Sequence, residues 1–551
     1  MRKHLLLSIL LVWSVSIYAQ QAKYVFYFIG DGMGINQVQG TEIYRAELKK
    51  KTGISPLLFT QFPYSTIATT YSASNRVTDS AAAGTALATG HKTQNSAIGV
   101  LKDQKTPINS IAVWARNKGC RVGIATSVTV NHATPSAFYA HAATRTLYHE
   151  IGKDLYKAGF DFYAGSDFKE STNPKNPSAE NLYTMADKNG YIIARGYKEY
   201  LKKSKKARKM ILFQTEEASK HEIAAIPYAI DRQKGDMTLQ DITRSAINFL
   251  SKDISKGFFL MVEGGRIDWA CHSNDAATTF HEIIDFDNAI KIAYEFYLQH
   301  PNETLIVVTA DHETGGFVLG TGSYNLNLQV LKNQKVSENG FTRIVNKMRT
   351  RTNNQVSWEA IQQALKENFG FWDKVKLTEK QEARLKATYN ESLQHQKINL
   401  EKSEYSQDEP IAAEAKRIIN EIAQIGWISG GHSAGYVPVF AIGVGAELFQ
   451  DRIDNTQIPA KIAQAAGYIQ ESQLRFICYN SFLIILRGTS ILVLKTTAEV
   501  YRRTETSPIA RFRYGQIRVL SEKGCCIFQT IIQYKVIRCH TSQCFKLGIQ
   551  Q

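Results

Sequence analysis

Short apolar runs recur along the chain and alternate with stretches of helical periodicity. Runs of this length are typical of strands buried on both faces of a parallel sheet. The helical patterns between them, such as residues 108–117 and 276–297, favour a doubly wound α/β fold with a mostly parallel central sheet flanked by helices. The five runs are residues 24–29, 122–129, 258–262, 305–309 and 437–442.

Residue types that bind metals stand at the carboxyl ends of four of these predicted strands. In open α/β sheets, ligands bind beyond the carboxyl ends of the parallel strands. A single acidic residue in such a place is usually a helix cap, whereas four strand ends of this kind together predict a metal centre. The residues are Asp31 after the first run, His132 and Thr134 after the second, Glu263 after the third, and Asp311 with His312 after the fourth.

Three further candidate ligands lie outside the predicted strands. Asp268 and His272 are four residues apart, so one helical turn places both side chains on one face, within reach of one ion. His432 lies in a glycine-flanked loop and, taken alone, would be a solvated loop histidine. Histidine nitrogens combined with carboxylates suit zinc, whereas the oxygen ligands of Thr134 and Glu263 suit magnesium.

Ser80 begins an alanine-rich stretch that predicts a helix. A serine at a helix start is ordinarily an N-cap. The same geometry also suits a nucleophile, because the free amides at a helix N-terminus favour anions such as a phosphoryl group. A free hydroxyl is a poor nucleophile at neutral pH, so this second interpretation needs an activating cation nearby.

Five ordered motifs resemble those of the alkaline phosphatases. The resemblance runs from about residue 24 to about residue 467, and it implies hydrolysis of small-molecule phosphate monoesters through a phosphoserine intermediate on Ser80. The motifs are FIGDGMG at 28–34, TDSAAAGTA at 78–86, VEGGRID at 262–268, TADHETGG at 309–316 and GHS at 431–433.

The resemblance also implies two Zn²⁺ and one Mg²⁺ per chain. Arg145 matches the arginine that clamps phosphate in the family, since a planar guanidinium can bind two phosphoryl oxygens. The family is often dimeric, which makes a homodimer an expectation. The implied ligands are Asp268, His272 and His432 for the first zinc, Asp31, Asp311 and His312 for the second, which faces Ser80, and Asp31, Thr134 and Glu263 for magnesium.

Two positions depart from the best-known bacterial pattern of the family. His132 stands where an aspartate often lies, and Trp269 where a lysine often lies. We expect both side chains to lie just outside the ligand sets. Losing a carboxylate and a cation there changes either magnesium affinity or phosphate release, and the sequence leaves the direction open.

Two other functions are compatible with parts of this pattern. Related phosphodiesterases and sulfatases share the sheet and many ligands, but phosphodiesterases generally lack the third metal site, which Thr134 and Glu263 provide here. Sulfatases need a modifiable cysteine or serine in a different motif, which is absent. A binding protein without turnover would be expected to have lost the nucleophile or a ligand, and all of them are present.

The first 19 residues have the pattern of a secretory signal peptide. Arg2 and Lys3 precede an apolar run, and Ala19 offers a cleavage point. A retained transmembrane helix or a lipid anchor is the alternative, but serines interrupt the run, and a span needs about 20 apolar residues. We therefore expect an exported protein, periplasmic or extracellular, with no transmembrane span in the mature chain.

The remainder divides into an enzyme body and a tail. Residues 20–470 are the predicted alkaline phosphatase domain, with a charge-rich helical surface insertion at about residues 324–422. Residues 471–551 carry twelve Lys or Arg against four acids, and five of the seven cysteines. This tail is either a basic attachment module or out-of-frame sequence. We favour the second because apolar runs such as Phe482–Leu486 have no evident partner.

The formal net charge of the chain is +16. A basic chain can bind nucleic acid or an anionic surface. No nucleic-acid-binding motif accompanies the charge, so we expect a generally basic surface and no nucleic acid as a specific ligand.

Overall fold

The computed structural model describes residues 20–468, apart from 223, 323, 394–400 and 403–406, together with four short strands further along the chain. The predicted signal peptide therefore lies outside the described residues, as does most of the tail. The chain forms two compact units, one of Gln21–Ala466 and one of Met1–Gln20 with Gly467–Gln551. Among the helices described, none combines the length and the apolar character that crossing a membrane requires.

A ten-stranded sheet forms the centre of the larger unit, as expected for a mostly parallel α/β fold. Its order from edge to edge is β16-β2-β15-β8-β1-β7-β3-β4-β6-β5. These ten strands are β1 Tyr24–Ile29, β2 Tyr64–Thr69, β3 Arg121–Thr126, β4 Phe162–Gly165, β5 Tyr191–Arg195, β6 Lys209–Phe213, β7 Phe258–Glu263, β8 Thr304–Thr309, β15 Val437–Gly443 and β16 Ile453–Asp454. Six two-residue strands pair outside this sheet, namely β9 Glu313–Thr314 with β14 His432–Ser433, β10 Val318–Leu319 with β13 Ile425–Gly426, and β11 Glu401–Lys402 with β12 Gln407–Asp408.

The three central strands β7, β1 and β8 are buried along their whole length. Helices cover both faces of the sheet here, so every position faces apolar neighbours and the sequence reads as a continuous apolar run. All three were predicted to within one residue at each end. They run parallel, and their register places Ile29 beside both Glu263 and Thr309, so the three strands end level with one another.

The prediction that residues 437–442 form a parallel strand is wrong in direction. β15 is antiparallel to both of its neighbours, β8 and β2. An apolar run shows that a strand is buried but carries no information about its direction. The reversed direction of β15 determines at which edge of the sheet the strand begins. β15 begins at the edge where the parallel strands end, because Val439 lies beside Thr309.

Sixteen helices surround the sheet in the described residues. The predicted helix 108–117 begins three residues later, because Ser110 caps it by accepting a hydrogen bond from the backbone N–H of Val113. The helices are α1 Ile35–Leu48, α2 Ser80–Thr89, α3 Ile111–Asn117, α4 Ala133–Ser136, α5 Tyr148–Ala158, α6 Leu182–Lys188, α7 Gly196–Lys203, α8 Glu216–Ser219, α9 Leu239–Leu250, α10 Arg266–His272, α11 Ala276–Gln299, α12 Glu338–Arg351, α13 Trp358–Phe369, α14 Glu379–Leu393, α15 Pro410–Ala423 and α16 Gln457–Ala466, with 3₁₀ turns at Phe59–Gln61, Ser251–Asp253, Leu328–Asn333 and Ala446–Leu448.

Residues 324–422, here called the helical segment, contain α12 to α14 and all of α15 except its last residue, Ala423. The segment is helical, as predicted, and its helices also contribute buried apolar side chains. Phe341, Leu365 and Ile418 are fully buried and share one hydrophobic cluster with Tyr44 of α1 and Phe280 of α11. The helical segment is therefore joined to the rest of the larger unit by an apolar core.

Two hairpins lie in the tail. The expectation that the run Phe482–Leu486 lacks a partner is wrong, because this strand, β17, pairs antiparallel with β18, Ser490–Leu494. A second pair joins β19, Phe528–Thr530, to β20, Gln533–Lys535.

Candidate metal centre

Buried carboxylates meet where the three central strands end. Asp31 follows β1, Glu263 is the last residue of β7, and Asp311 follows β8. All three residues are fully buried. Because β7, β1 and β8 end level with one another, their terminal side chains share one edge of the sheet, as the sequence predicts.

The first ligand group consists of Asp268, His272 and His432, whose ligand atoms lie within 4.8 Å of one another. The Nε2 atom of His272 is 3.1 Å from Nε2 of His432 and 3.3 Å from Oδ2 of Asp268. The Nδ1 atom of His272 is 2.5 Å from the carbonyl oxygen of Gly430, and that of His432 is 2.8 Å from the carbonyl of Thr78. Each Nδ1–H therefore donates to a carbonyl, which leaves both Nε2 lone pairs directed at one point, as in a metal site.

The second ligand group consists of Asp31, Asp311 and His312. Nε2 of His312 lies 3.4 Å from Oδ1 of Asp31 and 3.3 Å from Oδ2 of Asp311. On the other side of the ring, Nδ1 is 3.1 Å from Oγ1 of Thr314, which donates to Oδ1 of Asp268 at 2.6 Å. Thr314 thus orients the imidazole of the second group and connects it to the first.

The third ligand group consists of Asp31, Glu263 and His132, with ligand atoms within 4.8 Å of one another. Thr126 donates a short hydrogen bond to Oε2 of Glu263. Thr134, the ligand that the resemblance implies here, is fully buried, and its hydroxyl oxygen has no hydrogen-bond partner among the described residues. Sequence reasoning put His132 just outside the ligand sets, whereas the structure places its ring within reach of the two carboxylates.

Three of the four carboxylates in these groups, those of Asp31, Glu263 and Asp311, are difficult to ionise without cations. Burial raises the pKa of Glu263 to about 7. Burial, and next the charge of Asp311, raises the pKa of Asp31 well above its usual range, and burial with the charge of Asp268 does the same for Asp311. Burial alone would also raise the pKa of Asp268, but the adjacent histidines, His272 first, lower it. Only nearby positive charge would allow all of these groups to ionise together.

The donor set fits bound cations. Buried polar atoms normally find hydrogen-bond partners. Among the described residues, several buried carboxylate oxygens of the three groups have none, and each is close to other ligand atoms. They are Oδ1 and Oδ2 of Asp31, Oε1 of Glu263, and Oδ2 of both Asp268 and Asp311.

Ser80 is the first residue of α2 and is fully buried. The cap of this helix is Asp79, whose Oδ1 accepts from the backbone N–H of Ala82 at 3.0 Å, so Ser80 is not needed as a cap. Its Oγ atom instead lies 3.2 Å from Nε2 of His312, beside the second group.

Arg145 and Trp269 both contact His132. Nη2 of Arg145 is 3.2 Å from Nε2 of His132, and Nη1 is 3.5 Å from Oδ2 of Asp79. The indole ring of Trp269 packs edge-on against the imidazole of His132, with ring centroids 5.9 Å apart. These contacts join Arg145 and Trp269 to the third ligand group through His132.

Sequence reasoning assigned no role to Asp79, Thr314 or Gly32. Gly32 has φ of +72°, and a Cβ atom there would lie 2.8 Å from Cα of Asp268. Its N–H donates to Oδ1 of Asp311 at 3.1 Å. All three residues lie within the quoted motifs, one to three positions from a predicted ligand or nucleophile. That proximity is the only signal in the sequence that could have identified them.

Comparisons with known proteins agree on one family. The sequence profile of the alkaline phosphatases matches residues 22–468. Alkaline phosphatase 3 of Bacillus subtilis is 32% identical over 467 residues, which covers 81% of this chain and 90% of that protein. The cold-active alkaline phosphatase of a psychrophilic Shewanella species superposes with a TM-score of 0.67 at 29% identity, covering 80% of this chain and 99% of that one. The enzyme of the Antarctic bacterium TAB5 gives a TM-score of 0.56 at 29% identity over 82% of this chain and 100% of its own, and a variant of it is described with Mg bound in its M3 site.

Proposed function

The chain belongs to the alkaline phosphatase family, and from this premise we propose which of its residues perform the reaction. The protein is a metal-dependent phosphomonoesterase, which releases an alcohol and inorganic phosphate. We assign Ser80 as the nucleophile that forms the phosphoserine intermediate typical of the family. The distance of 3.2 Å between its Oγ atom and Nε2 of His312, a member of the second ligand group, carries this assignment.

In the proposed reaction, Oγ of Ser80 attacks phosphorus, and the bond from phosphorus to the leaving alcohol breaks. Water then attacks the phosphoserine, which restores the Ser80 hydroxyl and releases inorganic phosphate. The position of Ser80 favours this role, since the free amides in the first turn of α2 stabilise negative charge on a phosphoryl group. Full burial of Ser80 also limits the access of bulk water.

Arg145 is proposed to hold the phosphoryl oxygens. Its guanidinium is kept in place by Asp79 and His132, with distances of 3.5 Å and 3.2 Å. A planar guanidinium held in this way can present its remaining N–H groups to two oxygens of one phosphoryl group. Asp79 therefore connects the helix that carries the nucleophile to the group that binds the substrate.

We assign two Zn²⁺ to the first and second ligand groups and one Mg²⁺ to the third. Imidazole with carboxylate suits zinc, and the oxygens of Asp31, Glu263 and Thr134 suit magnesium. His132 adds a nitrogen donor to the third group, which weakens its preference for magnesium. When bound, these cations supply Lewis acidity and positive charge to the reaction.

Trapping of the intermediate tests the assignment of Ser80. The protein loaded with zinc and magnesium is incubated with a phosphate monoester, quenched in acid and digested with trypsin, and the phosphorylated residue is located by mass spectrometry. We expect phosphate on Ser80 within the peptide of residues 77–92, and none in Ser80→Ala at equal zinc content. Phosphate on Thr78, Thr85 or Thr89 of the same peptide, or normal turnover by Ser80→Ala, would refute the assignment.

We also infer export to the periplasm or the cell exterior, and a homodimer. The export proposal rests on the pattern of the first 19 residues. Fractionation of expressing cells and sequencing of the mature N-terminus would test the first proposal, and sedimentation would test the second. A protein retained in the cytoplasm with Met1 intact would contradict export, and a monomer at micromolar concentration would contradict dimerisation.

A further inference from the structure

The turn Ser273–Asp275 directly follows the metal-ligand residue His272. Asn274 has φ of +53°, a conformation that asparagine adopts more readily than most residues. Its side-chain amide donates to the carbonyls of Cys271 and Ser429, each at 2.9 Å. Ser429 immediately precedes Gly430, whose carbonyl accepts from Nδ1 of His272. The turn therefore connects α10 to the loop that precedes His432.

Helix α15 of the helical segment contacts this turn from the outside. Nζ of Lys416 donates to the carbonyl oxygen of Ser273, and Nδ2 of Asn420 donates to the carbonyl oxygen of Asn274 at 2.7 Å. Lys416 and Asn420 are four residues apart, so they occupy one face of the helix. Both are buried.

Helix α12 contacts the same turn at its N-terminus. Oε2 of Glu338 lies 2.7 Å from Nζ of Lys416, and only 1% of the Glu338 side chain is exposed. The backbone N–H of Glu338 donates to Oδ2 of Asp275 at 2.9 Å. Gln334 donates to the same carboxylate at 2.9 Å. The turn is thus held by two helices of the segment and by a buried ion pair between them.

We propose that Lys416 and Asn420 are positioning residues for the ligand group Asp268, His272 and His432. They fix the carbonyls of the turn, the turn fixes the loop before His432, and that loop orients the imidazole of His272. This inference rests on the proposed function, because it takes the group to be a zinc site. Residues that orient metal ligands commonly change metal affinity about 10- to 100-fold when they are replaced.

A second buried ion pair provides a matched control. Nη2 of Arg349 in α12 lies 2.9 Å from Oε1 of Glu409, the cap of α15, with side chains 5% and 0% exposed. This pair joins the same two helices. Arg349 also donates to the carbonyl of Ser392, and Glu409 accepts from the first backbone N–H groups of α15, so these contacts do not involve the turn. Loss of Arg349 therefore disturbs the helical segment without releasing the turn.

The test compares Lys416→Met, Asn420→Leu and Arg349→Met in the full-length holoenzyme. Zinc release is followed with a chelating dye, and the visible spectrum of the Co²⁺-substituted protein reports ligand geometry. We expect one of the two zinc ions to leave about 10- to 100-fold faster in Lys416→Met. In Asn420→Leu, we expect zinc release to accelerate by a factor at the lower end of this range. Both variants should show a changed Co²⁺ spectrum. Arg349→Met should release zinc at the wild-type rate.

Two outcomes overturn the inference. The first is a rate of zinc release in Lys416→Met within about twofold of the wild-type rate. The second is zinc release that is accelerated as much in Arg349→Met as in Lys416→Met, because the effect would then reflect general destabilisation. If Lys416→Met does not fold, Asn420→Leu decides, because it removes one hydrogen bond and leaves the ion pair intact. Failure of the proposed function would give a different result, because the wild-type protein would then bind no zinc at the group of Asp268, His272 and His432.

Discussion

Removal of the metals should make the stability of the protein depend on pH through Glu263. This carboxyl is fully buried, and burial raises its pKa to about 7 from the usual value of 4.5. The folded state therefore holds the Glu263 proton more tightly than the unfolded state does. Its contribution to stability is fully present below pH 4.5 and is lost as the pH rises through about 7.

The size of this contribution follows from the two pKa values. At about 1.4 kcal/mol for each pH unit between them, the metal-free protein should lose about 3 kcal/mol of unfolding free energy between pH 4.5 and pH 8. Asp31 and Asp311, whose pKa values burial also raises, add to the loss. His312 and His132, whose pKa values burial lowers, oppose it below pH 6.5. A single titration curve therefore does not isolate Glu263.

The comparison with Glu263→Gln does isolate it, because glutamine resembles the protonated acid but does not titrate. Urea unfolding of both proteins, stripped of metal with a chelator, should be measured at half-unit steps from pH 4.5 to pH 8. We expect the wild type to lose about 3 kcal/mol relative to Glu263→Gln over this range. With zinc and magnesium bound, the loss should disappear, because cations favour the ionised acid. A difference between the two metal-free proteins that stays constant with pH would refute the reasoning.

Three further predictions concern individual positions. His272→Ala should lose about one zinc per chain, as measured by elemental analysis. The control variant His221→Ala, which changes an exposed histidine, should lose none. Retention of two zinc ions in His272→Ala would count against the first ligand group. Gly32→Ala should lower metal affinity and activity, because its Cβ would lie 2.8 Å from Cα of Asp268, and a zinc titration indistinguishable from wild type would contradict this. A chain ending at Gln470 should fold and keep kcat/KM within about twofold of the full-length value, which corresponds to about 0.4 kcal/mol of activation free energy. If it loses activity at equal zinc content, the tail is part of the enzyme.

Much of the fold can be predicted from the sequence where burial is uniform. The strands β1, β7 and β8 are covered on both faces, so each appears as a continuous apolar run. β2 could not be predicted in this way, because it lies near the edge of the sheet and mixes exposed, half-buried and buried positions. The four-residue strand β4 is too short for a pattern to be distinguished from chance.

In the candidate site, too, the sequence predicts some residues and misses others. Ligands such as Asp31 and Asp311 directly follow recognisable strands, so the fold class alone brings them together. Thr314 and Asp79 act through contacts with residues far along the chain, namely Asp268 and Arg145. The contact between Lys416 and Ser273 is of the same kind. Such pairings depend on the packing of separate elements, which the spacing of residues in the sequence does not encode.

The reversed strand β15 also constrains the order in which the protein can fold. β2 is made early, yet its sheet partners within the described residues are β15 and β16, which come near the end of the enzyme body. Until β15 emerges from the ribosome, β2 has no partner in the sheet, and His432 cannot complete its ligand group. Pairing of segments so distant in sequence is slow and leaves strand edges open to association with other chains. We therefore expect the metals to bind late in folding, after the sheet is complete.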